Sequence, residues 1–348
     1  VNGAVVLTGT NLATTVTVAS GGELAVGAPA RLEAPIVLDG GALRSAGTAE
    51  TPSAVSVTAK GATVGPADSA TLTLSGTVGG AGVMTKVGNG ALKVSALPDS
   101  ALIATIGSLE VTSTAPQTWT NALTINNTVV DTAVVLRHAG DLTLSGPVNV
   151  VNGRLLKAGA GTLSLTYPGK MTFASPNAAN ADQLVNIGAH GESPTQGLRG
   201  FSIVDGTVVL GVPGQLFTLS GAVQIGMNST TVAGQETAAH MIFNEGTFVC
   251  WTDINVGRGN GSTVTAPVPL QSSFTMNGGT LTAAAFSIGH RSGLDTSSVY
   301  QASPRVTIND GVATVTRINM GEYQGCQAEF TVNGGRVVVT DLIQIGNQ

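Results

Sequence analysis

The chain has 348 residues, 42% hydrophobic and 10% charged, which supplies a continuous core and excludes a disordered polar chain. Fifteen basic residues against 20 acidic ones give a net charge of -5, and no basic run is interleaved with aromatics, which argues against nucleic acid as a partner. No stretch of about 18 uninterrupted apolar residues exists to span a membrane as a helix, and the 47 Gly and the Val, Ala, Leu and Ile bias suit stacked strands better than a helical bundle.

The first predicted elements are short strands in a loose repeat over residues 1–70. Segments 16–24 (VTVASGGEL) and 36–43 (IVLDGGAL) each carry an alternating run, a Gly turn and the start of a second run. Alternation of period two marks strands with one buried face. The start at Val1-Asn2-Gly3 has no charged segment followed by an apolar one, and is expected to belong to a mature or excised piece of a longer chain.

Residues 71–170 hold a second, related repeat. Segment 72–94 (LTLSGTVGGAGVMTKVGNGALKV) matches segment 142–165 (LTLSGPVNVVNGRLLKAGAGTLSL). Each contains a Lys-x-Gly-x-Gly-x-Leu signature, from Lys86 through Gly88 and Gly90 to Leu92, and from Lys157 through Gly159 and Gly161 to Leu163. These stretches resemble the autotransporter-associated β-strand repeat of large bacterial surface proteins. The resemblance implies a right-handed β-helical passenger or fibre region, secreted or displayed on a bacterial envelope. It implies nothing about catalysis, and the membrane barrel that exports such a passenger is not among these residues.

Residues 171–348 carry the clearest repeat. Segment 274–289 (FTMNGGTLTAAAFSIG) aligns without gaps to 306–321 (VTINDGVATVTRINMG), and 241–257 and 330–346 repeat the frame with one extra residue. Each copy predicts three short strands: a first such as Phe274 and Met276, a Gly turn, a second such as Leu281 and Ala283, and a third ending in Ile-Gly. Turn positions Gly41, Gly206, Gly246, Gly279, Gly311 and Gly335 are residues that tolerate positive φ. The turn Gly and the Gly of Ile-Gly are 10 or 11 residues apart, whereas 14 to 22 residues separate that Gly from the next turn. One edge is therefore uniform, and variable segments 258–273 and 290–303 should be loops thrown from one corner. The register places Phe274, Met276, Leu281, Phe286 and Ile288 on Val306, Ile308, Ala313, Ile318 and Met320.

Candidate sites are few. Cys250 falls in an inward slot and reads as a buried thiol, with Cys326 too many coils away for a disulfide. Ser287-Ile288-Gly289-His290 is superficially similar to the Ile-Gly-His stretch of β-helical polygalacturonases, but His290 reads as the first residue of a loop. Its replacement by Ala should leave activity unchanged. His138, His190 and His240 have no metal-ligand spacing. Asp205, Glu245 and Asp310 are expected in one turn column, with Asp205 and Glu245 on neighbouring coils. A glycosidase pair or Ca²⁺ site there is the less favoured reading beside turn formation. The Gly-rich segment 79–82 lacks Gly-Lys-Ser/Thr and is turn chemistry. Trp251 points outward, either stacking on a sugar or anchoring a partner, or, as the favoured reading, packing beneath a loop.

The chain is thus expected to be one all-β, right-handed parallel β-helix over residues 1–348, of about 12 to 15 coils and roughly 60 to 70 Å. The function expected is that of a structural or adhesive segment of a secreted or cell-surface bacterial fibre; the alternative is a carbohydrate-active β-helix, lyase or hydrolase, or a glycan-recognition module. No cofactor, metal or catalytic residue is expected. Binding residues would be Trp251, Arg258, His290, Arg291, Glu322 and Tyr323, on loops or the outer face. Partners would be further coils of the same chain or head-to-tail copies covering the end coils, with glycans or a host or matrix surface as further candidates.

Overall fold

The computed structural model describes residues 3–7, 10–11, 14–27, 31–127, 133–174, 201–203, 205–228, 238–260, 271–289, 291–292, 303–321 and 326–346. Among them there is no helix, and every pairing between named strands is parallel. The chain winds as a parallel β-helix with three faces, visited in order in each coil. Val16–Ala19, Glu23–Val26 and Arg31–Leu32 begin the three faces of one coil. Ile36–Asp39, Ala42–Ser45 and Ala49–Thr51 stack on them in the next.

On the second face thirteen successive pairings join fourteen strands or strand segments, from Ala4–Leu7 to the first half of Arg336–Ile345. At about 4.8 Å per coil the rod is about 60 Å long, inside the range expected from the repeats. The second and third faces form one 25-stranded sheet, and the first face is split into a 4-stranded and an 8-stranded sheet. The split falls where Pro98, which has no N–H for the ladder, precedes a lone bridge between Gly79 and Asp99. Trp119 in the next coil closes the gap, buried and donating Nε1–H to the Pro98 carbonyl at 2.6 Å.

Inward residues of all three faces merge into one apolar cluster that runs from Val18 to Ile318. The expected register holds: Phe274 and Met276 pair with Val306 and Ile308, and Leu281, Phe286 and Ile288 with Ala313, Ile318 and Met320. Phenylalanines continue from coil to coil, Phe173 to Phe217 at 4.8 Å and Phe217 to Phe248 at 5.1 Å, edge to face. In the last coils the second and third strands are not separate: Thr280–Ile288, Val312–Met320 and Arg336–Ile345 each run through both faces, bent at the corner.

The first-to-second corner is the uniform edge. Gly246, Gly279, Gly311 and Gly335 have φ of 89°, 77°, 88° and 70°, as their turn positions require. In the Asp39-Gly40-Gly41 copy the positive φ moves to Gly40, at 82°. Gly41 is instead a close approach, where a Cβ would lie 2.7 Å from the Val18 and Ala19 carbonyl oxygens. The asparagines before these turns form a ladder: Asn277 Nδ2 donates to Asn244 Oδ1, Asn309 to Asn277 and Asn333 to Asn309, each at 2.8 Å. Asn277→Ala removes two rungs at once and should lower unfolding stability by about 1 to 2 kcal/mol, measured as a shift of the denaturant midpoint. Asn277→Asp, which cannot donate to Asn244 but still accepts from Asn309, removes one rung and should cost less than Asn277→Ala.

One expected column does not exist. Asp205 and Gly206 lie at the third-to-first corner, because Phe201–Ile203 is on the third face and Gly206–Leu210 on the first. Glu245 and Asp310 lie at the first-to-second corner. Asp205 and Glu245 therefore share no turn column, which removes the carboxylate pair. The FSIVDG segment carries the repeat pattern one face out of phase.

Candidate functional site

Long connections converge on the edges of one face. In the last third they leave the third-to-first corner, between Thr247–Asn260 and Gln271–Met276 and between Thr280–Ile288 and Arg305–Ile308. Upstream, two more leave the second-to-third corner, from Leu123–Asn126 to Val134–His138 and from Lys170–Phe173 to Phe201–Ile203. Both corners bound the third face. Its outward side chains Val135, Leu156, Gln224, Asn255 and Ser287 are buried, although their neighbours in the strand are the ones that fill the core.

Trp251 stands on the second-to-third corner and is 70% exposed, so the favoured expectation that it packs beneath a loop does not hold. The cause is local. The register between the strand carrying it and the next shifts between Cys250 and Asp253, so Trp251 and Thr252 together oppose the single residue Ala284. Such a bulge turns a side chain away from the ladder. Cys250, one residue earlier, points inward in register with Ala283 and Val315. Burial pushes its thiol up to about 11, which makes it an inert core residue. Cys250 is a free thiol.

Beyond the bulge Asp253 pairs with Ala285, and Ala285 with Arg317. Arg317 Nε is 2.8 Å from Asp341 Oδ2 in the following coil, an ion pair with both side chains about half exposed. The outward column beside this corner, Thr218, Val249, Thr282 and Thr314, carries no charge. Of the other expected binding residues, the backbones of Arg258 and Arg291 lie in strands, with Gly259 paired to Arg291, and their side chains lie outside the described residues. His290, Glu322 and Tyr323 lie outside them altogether. Sequence reasoning missed Asp253, Arg317 and Asp341: strict alternation from Val337 and Val339 puts Asp341 inward, and only the irregular register at the corner turns it out to meet Arg317.

The Lys-x-Gly-x-Gly signatures are a second built feature, and it is internal. Lys86 is fully buried, its Nζ donating to the carbonyl oxygens of Gly88 at 2.6 Å, Gly90 at 2.9 Å and Ile106. Lys157 is also buried, donating to Gly159 O and, at 2.7 Å, to Asp205 O. The glycine opposite each ammonium leaves the necessary room. A Cβ on Gly107 would lie 2.6 Å from Gly88 O and 2.7 Å from Gly90 O, and one on Gly206 at the same distances from Gly159 O and Gly161 O. Burial pulls the two ammonium groups down to about 7 and about 8, and at Lys157 the charges of Asp205 and Asp141 oppose it. Both side chains are fully buried and their ammonium groups are spent on backbone carbonyls, so they lock the corners.

Among the described residues no group of three His, Cys, Asp or Glu could hold a metal ion, and no helix is long and apolar enough to cross a membrane. Compared with family models, with curated proteins and with solved structures, the chain shows no match.

Proposed function

We propose that this chain is a structural and adhesive segment of a secreted or surface-displayed bacterial fibre or passenger protein, a stiff spacer that carries a binding corner outward. The observation that supports this is the unbroken second-face ladder over a single apolar core. Each coil buries its neighbour, so length is gained without a new core. The signatures that resemble the autotransporter-associated repeat build the locked corners of that rod, which suits a load-bearing element. Extracellular placement follows from the same resemblance.

The last coil bears on partners. Val332, Ile343 and Ile345 occupy inward positions and are 48%, 56% and 77% exposed, while their register partners Ile308 and Ile318 are buried. A further coil, of the same polypeptide or of a second copy stacked head to tail, would bury them.

Small-angle scattering of the 348-residue chain should give a rod cross-section with a length of at least about 60 Å. Incubation with pectin or alginate should release no reducing ends. A compact globular profile would overturn the spacer reading, and robust cleavage would reverse it in favour of a polysaccharide lyase or hydrolase.

A further inference from the structure

We propose that the second-to-third corner around Trp251 is a saccharide-binding subsite, in which a pyranose ring stacks on the indole and its hydroxyls bond to Asp253 and Arg317. The proposal rests on the adhesive half of the reading above and is independent of the spacer half.

Three observations carry it. The first is the contrast between the two tryptophans. Trp119 is 5% exposed and spends its indole N–H on a carbonyl, as a structural Trp does, whereas Trp251 is held in solvent by a bulge. The second is the floor beside it. Ala284 and Ala285 follow in the next coil, and Thr316 and Arg317 in the one after. Arg317 lies two coils from Asp253, about 10 Å away, with the buried Ala285 in register between them. That is the span of one to two sugar rings.

The third observation is chemical. In register Trp251 lies opposite Ala284, with Asp253 and the half-exposed Arg317 on the same corner, so an apolar ring is accompanied by a carboxylate and a guanidinium. A pyranose has the complementary pattern, a C–H face edged with hydroxyls. A protein-binding hot spot would need the ring to sit within a close-packed apolar surround, which these neighbours do not supply. Arg317 is held by Asp341 with its guanidinium half exposed, and so offers directed N–H donors at little further ordering cost.

The test uses the 348-residue chain on an immobilised array of glucose-, galactose-, mannose- and uronate-terminated oligosaccharides, followed by titration of the strongest binder with tryptophan fluorescence. Saturable binding is expected, with a change in the emission of the exposed tryptophan. Trp251→Ala should weaken it by about tenfold or more and Trp251→Phe by less. Ala284→Glu, which sets a bulky carboxylate in the coil beside Trp251, should also weaken it. Arg317→Ala should raise the Kd for the same glycans, and Lys60→Ala, at the far end of the rod, should not. Thermal melts of the Trp251 variants should match the parent, since the side chain is exposed. Absence of binding to every glycan, or binding that survives both Trp251→Ala and Ala284→Glu, would overturn the proposal while leaving the scattering result untouched.

Discussion

Lys86→Met is expected to destabilise the rod by about 3 kcal/mol or more, although it replaces a buried charge with an apolar side chain of similar length. The ammonium has three N–H donors, and the corner presents three carbonyl oxygens, those of Gly88, Gly90 and Ile106. Methionine fills the volume and donates nothing: Gly90 O keeps the Ser108 N–H at 3.3 Å, but the Gly88 and Ile106 oxygens lose the ammonium, each costing about 1 to 3 kcal/mol. Gly107→Ala attacks the same lock from the next coil. Its Cβ would lie 2.6 Å from Gly88 O, at a φ of +80° that L side chains avoid. Lys157→Met and Gly206→Ala should reproduce both losses at the second lock. Lys60→Met is the surface comparison, because Lys60 is exposed and its ion pair with Asp39 should be worth less than about 1 kcal/mol. Urea midpoints and near-ultraviolet circular dichroism of the set provide the measurement. A Lys86→Met variant as stable as the parent would show that the cage contributes nothing.

The locks also show how the repeat is used. Lys86 lies on the second face, in Met84–Lys86, and Lys157 on the third, in Leu155–Ala158. The 72–94 and 142–165 segments match in sequence and yet occupy faces one step apart. The repeated unit is therefore a corner with its two flanking strands, and two different corners of the three-sided coil accept it. That freedom is why FSIVDG carries the turn pattern at a different corner from Asn-Glu-Gly and Asn-Asp-Gly.

The fold was legible because alternation of period two survives in almost every strand. Pairing between equal repeats then assigns the register without further information, and Cys250 on Ala283 and Val315 follows from it. What was not legible depends on contacts between coils. Asn277 reads as a turn former from its own segment, and its stacking on Asn244 and Asn309 exists only once coils are superposed. The alternation Met84, Thr85, Lys86 points the lysine inward, a signal that a lysine at an inward position needs acceptors, but the third acceptor, Ile106 O, lies in the next coil. Exposure of Trp251 depends on a bulge of one residue, which appears in sequence only as the extra residue of the 241–257 copy.

Acid should weaken the rod between pH 6.5 and 4, and His138 is the main cause. The ring is buried in the third face, with Nδ1–H donated to Gly140 O at 2.8 Å and Nε2 without a partner. Burial pushes its pKa down to about 4 from an ordinary 6.5, and the charge of Lys157 acts in the same direction, against the Gly140 hydrogen bond and Asp141. The folded chain therefore refuses a proton that the unfolded chain accepts. As pH falls below 6.5 the unfolded state gains protonation free energy that the folded state does not, and the loss is complete once pH passes about 4. Its size by pH 4.5 is about 2 to 3 kcal/mol. Asp39 and Asp141 act elsewhere on the scale. Each is held below 3.8 when folded, Asp39 by its hydrogen bonds to Lys60 and Thr58 and Asp141 by those from Thr162, so what they contribute is lost only at lower pH. His240 is lowered by burial as well and adds to the slope with the same sign. The difference between parent and His138→Phe isolates the one residue, because phenylalanine keeps the ring and removes the titration. Denaturant midpoints at pH 7 and pH 4.5 should therefore fall further for the parent than for His138→Phe by the equivalent of about 2 to 3 kcal/mol. Equal falls for the two would mean that His138 takes up its proton without opening the coil.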